Sequence, residues 1–202
     1  MFVTLEGPEG AGKSTALRAS AAHFTKQGIK VLPTREPGAG KLGASIRELL
    51  LHGENLITET ELMLFLADRA NHIANIVKPA LDEGVIVLCD RHTDSTLAYQ
   101  GYGRGLDLSF LKQVNRFATR GLVPDLTILF DLDPEIGLAR IKGKDRLDSE
   151  PMDFHRRVRA GFLELAALEP GRIKIVDATQ APEELAREVI RHIDEGLGNL
   201  AC

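Results

Sequence analysis

The residues Gly7-Pro-Glu-Gly-Ala-Gly12-Lys13-Ser14 match G-x-x-x-x-G-K-[ST] between an apolar run, Phe2–Leu5, and a helical pattern that starts near Ala16. That spacing lets glycines wrap the backbone so that N–H groups and a helix N-terminus face a phosphate. Gly7, Pro8, Glu9, Gly10, Ala11, Gly12, Lys13, Ser14 and Thr15 are the candidate ATP-binding residues. Lys13 suits the β- and γ-phosphates, and the Ser14 hydroxyl suits the shell of a Mg²⁺ ion carried with ATP. The guanine-reading N-K-x-D is absent, since no asparagine precedes a lysine, so a switch GTPase is a poor reading.

Two further clusters follow apolar runs. Thr34-Arg35-Glu36-Pro37-Gly38 and Asp90-Arg91-His92 each put an arginine where α/β folds bind ligands, at the carboxyl ends of strands. Asp90 is a second candidate for the magnesium shell, with Asp131 as its competitor, and Arg91 suits a second phosphate. Arginines without an obvious base suit a phosphate monoester acceptor, which is already a dianion at neutral pH and needs charge relief more than deprotonation.

Taken together and in order, the phosphate loop, Thr34-Arg-Glu-Pro-Gly38, Leu64-Phe65-Leu-Ala-Asp-Arg69, Asp90-Arg-His92 and Ala98-Tyr-Gln-Gly101 resemble the thymidylate kinase family of bacterial type. The likeness runs on through Pro124-Asp125-Leu to Asp177-Ala-Thr179. It implies a P-loop nucleoside monophosphate kinase that moves the ATP γ-phosphate to dTMP, working as a homodimer. It also implies an acceptor site of Glu9, Arg35, Phe65, Arg69, Arg91, Ser95, Thr96, Tyr99 and Gln100. Phe65 would stack on thymine, Arg69 would reach the base or phosphate, Glu9 would accept from the 3′-hydroxyl, and Tyr99 would crowd a 2′-hydroxyl. Lys13 and Arg91 are the catalytic candidates, joined by a transition-state arginine from a basic lid near 142–151, where Arg146 comes first and Arg140 second among Arg140, Lys142, Lys144 and Arg146. The adenine is expected near Arg140 and Asp177–Gln180. Where the family reads Pro-Gly-Gly-Thr, this chain has Pro37-Gly38-Ala39-Gly40, and no role is assigned at 39–41. The six histidines show no ligand spacing and receive no role, His92 included. The rival readings are a kinase for another nucleoside monophosphate and a nucleotide-dependent switch or scaffold.

The elements that must hold these groups are legible as short apolar runs: Phe2–Leu5, Ile29–Leu32, Val85–Cys89, Leu126–Phe130 and Ile173–Val176. Runs of four or five, separated by long helical stretches, predict a five-stranded parallel sheet covered by helices on both faces, hence an α/β fold. Helices are expected over 16–27, 106–120, 134–141, 154–168 and 183–195. Another starts at a capping box, Thr58-Glu-Thr-Glu61, and runs toward Gly84 with a kink or break at Pro79. At 202 residues the length favours one domain over 1–202. A net charge of −4 leaves no global positive field for nucleic acid or a membrane surface, and two cysteines make neither a disulfide framework nor a cysteine-based zinc site. The longest apolar run, Leu62–Ala67, is six residues and no signal-like leader opens the chain, so a cytoplasmic location is expected.

Overall fold

The computed structural model describes residues 1–53, 56–143 and 145–200, with residues 199 and 200 described by their backbone alone. Lys144 of the expected lid lies outside the described residues. The sheet order is β2-β3-β1-β4-β5, with β1 (Phe2–Glu6), β2 (Val31–Arg35), β3 (Ile86–Asp90), β4 (Leu126–Asp131) and β5 (Ile173–Asp177), and every pairing is parallel. Central strands of a covered parallel sheet have no wet face, which is why Phe2–Glu6 and Ile86–Asp90 are buried along their whole length.

The second strand begins two residues later than the apolar run suggests. Gly28 closes α1 (Lys13–Lys26) with φ +80°, and the chain pairs only from Val31 on. Pro33 is tolerated because β2 is an edge strand. The register sets Arg35 beside Asp90, and Asp90 beside Leu5, so the ends of β2, β3 and β1 finish together. Charged residues that follow these three strands are thereby delivered to one crevice.

Several helices differ from expectation. The helix α2 (Gly40–His52) was not expected; Ile46 and Leu50, four apart, bury one stripe of it. The capping box at Thr58 does not form. Ile57 takes the cap position of α3 (Thr58–His72) with no side-chain bond, because the Glu61 carboxylate is drawn inward by cations instead. The chain stays helical through Pro79 and does not break there. A π-helical segment, Ile73–Val77, precedes α4 (Lys78–Asp82) and widens the turn that proline's missing N–H would otherwise interrupt. Likewise α5 (Thr93–Thr96) passes into a second π segment, Leu97–Gly103, which packs tightly on α8 (Met152–Leu168); a Cβ on Gly103 would lie 2.6 Å from the Phe154 ring. Then α6 (Leu108–Ala118), α7 (Pro134–Arg140) and α9 (Pro182–Leu200) complete the layers. Among the described residues no helix is long and apolar enough to cross a membrane.

Candidate active site

The phosphate loop is shaped by close backbone approach. Gly7 has φ +133° and a Cβ there would sit 2.4 Å from the Phe130 carbonyl oxygen, while one on Gly10, at φ +66°, would sit 2.1 Å from that of Gly137. Only glycine permits either contact. The loop thus rests on β4 and α7 and leaves its open side toward the crevice. Lys13 folds back over it, donating from Nζ to the carbonyls of Gly7 (2.9 Å) and Pro8 (2.6 Å). Burial, with Arg91 nearby, pulls the Lys13 ammonium down to about 8. A bound anion would reverse that pull.

Ser14 Oγ donates to Asp90 Oδ2 at 2.6 Å, joining the loop to the end of β3. Asp131, the competing carboxylate, is instead held by Arg159 through two bonds of 2.7 and 2.9 Å. Ala11 is buried and Thr15 is exposed, accepting at 3.4 Å from Arg18.

A cavity of about 410 Å³ opens from this loop, and all nine acceptor-site candidates line it: Glu9, Arg35, Phe65, Arg69, Arg91, Ser95, Thr96, Tyr99 and Gln100. Arg91 sits at a backbone position with φ +71°, which bulky residues avoid, so its placement is enforced by its surroundings. Its guanidinium donates to Gly7 O (3.0 Å), Ser95 Oγ (3.2 Å) and Glu9 Oε1 (3.1 Å), and lies 5.0 Å from the Tyr99 ring centre. Glu9 therefore does not oppose a phosphate as an isolated carboxylate. Burial pushes it up, but His155, Arg91, Lys13 and the Tyr99 hydroxyl together hold it down at about 2.

Arg69 is nearly fully buried and uses four of its five N–H groups on Glu36 Oε2 (2.7 Å), Thr96 Oγ1 (2.8 Å), Asn115 Oδ1 (2.6 Å) and His92 O (2.8 Å). It is a wall of the cavity near the base-reading candidates, with no freedom to follow a phosphate. Glu36 also accepts from His72 Nδ1 (2.8 Å) and His92 Nδ1 (3.1 Å); burial raises it, yet His92, Arg69 and His72 keep it well below the usual carboxylate range.

The lid arginines part company. Arg140 Nη1 donates to Gly10 O (3.3 Å) and Ala178 O (3.2 Å), on the phosphate-loop side and beside the Asp177–Gln180 turn. Arg146, the first choice from sequence, lies on the opposite side: Nε donates to Leu50 O (3.0 Å) and Nη2 to Glu61 Oε2 (2.6 Å).

Three acids and one arginine of the site went unassigned in the sequence. Glu6 ends β1, accepting from His92 N (2.7 Å) and from Ser95 Oγ, and its burial and Asp94 push it up to about 7. Its signal was an acid ending an apolar strand. Glu36 stood inside a quoted motif, Glu61 was read as a cap, and Arg47, on the unforeseen α2, lines the cavity while donating to Pro37 O at 3.1 Å.

Comparison with known proteins agrees with this geometry. The family described as thymidylate kinase matches residues 5–189. The chain belongs to the thymidylate kinase family. A thymidylate kinase of Nitratidesulfovibrio vulgaris (strain DP4) is 51% identical to this kinase, across 100% of this chain and 95% of that one. One of Carboxydothermus hydrogenoformans is 51% identical, covering 93% and 94%. The crystal structure of thymidylate kinase from Ehrlichia chaffeensis superposes with a TM-score of 0.80 at 34% identity, covering 96% of this chain and 98% of that one. The family reaction, ATP-dependent phosphorylation of dTMP to dTDP, is the one that the two-sided cavity of this kinase must serve.

Proposed function

We propose that this kinase, a single domain over 1–202, carries ATP over residues 7–15 and dTMP in the cavity lined by Phe65 and Arg69, and transfers the phosphoryl group between them in line. The observation that carries this reading is the convergence of Lys13, the Ser14–Asp90 pair and Arg91 at one mouth of a cavity lined by all nine acceptor-site candidates.

An oxygen of the dTMP phosphate attacks the ATP γ-phosphorus; the new P–O bond forms as the bond to the bridging β,γ-oxygen breaks, and ADP leaves with that electron pair. The acceptor is a dianion, so no residue has to take a proton. Arg91 and Arg35 hold it and offset its charge as it approaches the γ-phosphate. Lys13 exchanges the carbonyls of Gly7 and Pro8 for β- and γ-oxygens. Glu9, kept ionised by Arg91 and Lys13, accepts from the acceptor's 3′-hydroxyl, and Tyr99 closes the space beside the sugar. From their contacts, Arg140 serves the ATP side and Arg146 the acceptor side.

The hydroxyl of Ser14 and the carboxylate of Asp90, 2.6 Å apart beside Lys13, are hard oxygen donors that fit a magnesium ion with its waters. Held there, Mg²⁺ would supply positive charge that offsets the negative charge on the transferring phosphoryl group. A homodimer and a cytoplasmic location go with the reading; Phe117, 87% exposed on α6, and Met63, 68% exposed on α3, are apolar groups that a second copy would cover.

The test is ADP release with ATP and a panel of monophosphates. The expected order is dTMP above dUMP, with AMP, GMP and CMP weaker by roughly 10⁴. Phosphorylation of AMP, GMP or CMP as fast as dTMP overturns the acceptor assignment.

A further inference from the structure

Glu61 is a buried carboxylate, 1% exposed, that reaches toward the acceptor cavity from α3. Its Oε1 accepts from Gln100 Nε2 (2.9 Å) and Arg104 Nε (3.2 Å), and its Oε2 from Arg104 Nη2 (3.0 Å) and Arg146 Nη2 (2.6 Å). Four bonds fill the acceptor positions of the two oxygens, so the carboxylate has no free rotation. Burial alone would raise its pKa, but Arg104, Gln100 and Arg146 bring it below the usual range, and it stays an acceptor with no proton to give.

An acceptor-only group decides the orientation of an amide. Gln100 must turn its NH₂ toward Glu61, and its Oε1, on the opposite side of the amide, is then left for the cavity that Gln100 lines. Among the described residues nothing donates to that oxygen. Arg69 stands in the same wall with one N–H left over after its four bonds. The wall therefore offers one acceptor and one donor.

We propose that Glu61 is a specificity-determining positioning residue: by fixing the Gln100 amide with its carbonyl toward the base, it makes the cavity select a pyrimidine with an N3–H donor beside a carbonyl. Thymine and uracil have that pair. Cytosine has it reversed, an unprotonated N3 beside an amino group, and would set acceptor against acceptor and donor against donor. Glu61 touches no substrate; it acts through Gln100. Because Arg146 comes from the lid segment, the same carboxylate ties lid position to the base-reading amide. The inference rests on the proposed placement of the acceptor base at Gln100.

The experiment compares kcat/KM for dTMP, dUMP and dCMP in wild type, Glu61→Gln and Gln100→Leu, with KM for ATP and thermal melting as controls. In Glu61→Gln the amide oxygen goes to the arginines and its NH₂ faces Gln100, which then turns its own NH₂ to the base. The dTMP-to-dCMP ratio is expected to fall at least about tenfold, with KM for ATP within about twofold of wild type. Equal losses for dTMP and dCMP would mean that Glu61 only supports packing, and overturn the inference. If Gln100→Leu leaves the ratio unchanged, the base is not read there and the site assignment fails first. If Gln100→Leu changes it and Glu61→Gln does not, only the inference fails. Should Glu61→Gln not fold, Glu61→Asp, whose carboxylate draws back from Nε2, is expected to lower the ratio in the same direction; an unchanged ratio overturns the inference.

Discussion

On the phosphate-loop side of the cavity the cations rest on neutral carbonyls, Lys13 on Gly7 and Pro8, Arg140 on Gly10 and Ala178. On the proposed acceptor side four of them are locked to carboxylates, Arg69 to Glu36, Arg91 to Glu9, and Arg104 and Arg146 to Glu61, while Arg47 rests on the Pro37 carbonyl. The difference separates two tasks. A carbonyl contact is readily exchanged for a phosphate oxygen, so under the proposed function the ATP side would let go of its own backbone when the nucleotide binds. A buried charged pair is costly to open, so under the proposed function the carboxylate-paired side would act as a fixed template that rejects a base of the wrong hydrogen-bond pattern.

The contrast breaks first if Lys13 and Arg69 respond alike. Lys13→Ala is expected to lower kcat by about 10³ or more, since the ammonium answers charge at the transferring phosphoryl group. Its urea midpoint should stay near wild type, because a lysine whose burial brings it to about 8 is held against its own preference and its removal relieves that. Near-normal turnover in folded Lys13→Ala would sink the phosphate-loop assignment.

Arg69→Ala should fail differently. It leaves Glu36 buried among two histidines without the arginine that donates to it at 2.7 Å and opens a hole beside Thr96 and Asn115. A loss of about 3–5 kcal/mol, read from urea unfolding, is expected along with loss of dTMP use. A stable variant that loses only dTMP affinity would make Arg69 a movable ligand group like those on the ATP side.

These two residues also mark how far the sequence could be read. Lys13 was legible because its partners are adjacent and its motif is a backbone spacing, and the strands that deliver the loop were legible as apolar runs, β2 starting two residues later than its run. Arg69 was legible as a cavity residue, but its partners lie 23 to 46 positions away, and no spacing rule pairs Glu36, Thr96, Asn115 and the His92 carbonyl. Glu61 shows the same limit more sharply. Thr58-x-x-Glu61 has capping-box form, and the local option lost to three distant donors, Gln100, Arg104 and Arg146, that only the fold assembles. The π segment at 97–103, which sets where Tyr99 and Gln100 point, has no sequence period of its own.

The lid arginines sharpen the contrast at smaller scale. Arg140→Ala is expected to reduce kcat at least about tenfold with dTMP KM nearly unchanged, and Arg146→Ala to raise dTMP KM several-fold with a lesser effect on kcat. Steady-state kinetics with each substrate varied separates them. A loss of about 10³ or more in kcat for Arg146→Ala at constant dTMP KM would show that closure carries Arg146 across to the phosphates as the transition-state arginine.

The smallest expected effect lies where the two sides meet, at two glutamates three residues apart. Glu6 is pushed up to about 7 by burial and the nearby Asp94, while Glu9 is held at about 2 despite burial by His155, Arg91, Lys13 and Tyr99. Between about pH 4.5 and 7 native Glu6 keeps a proton that the unfolded chain has released, so its contribution to stability declines as pH rises through that window. For Glu9 the sign is opposite: the unfolded chain takes up its proton near 4.5 while the native carboxylate stays ionised, so its contribution is complete above about 4.5 and fades as pH falls toward 2. Urea midpoints of wild type, Glu6→Gln and Glu9→Gln across this range separate the two. Wild type should lose ground to Glu6→Gln from pH 4.5 to 7 and gain ground on Glu9→Gln from pH 2 to 4.5. A constant gap between wild type and Glu6→Gln would mean that Glu6 is already ionised at pH 5. The end of β1 would then belong to the carboxylate template of the acceptor side, and Arg91 at φ +71° would be held by a permanent charge on Glu6 through His92 and Ser95.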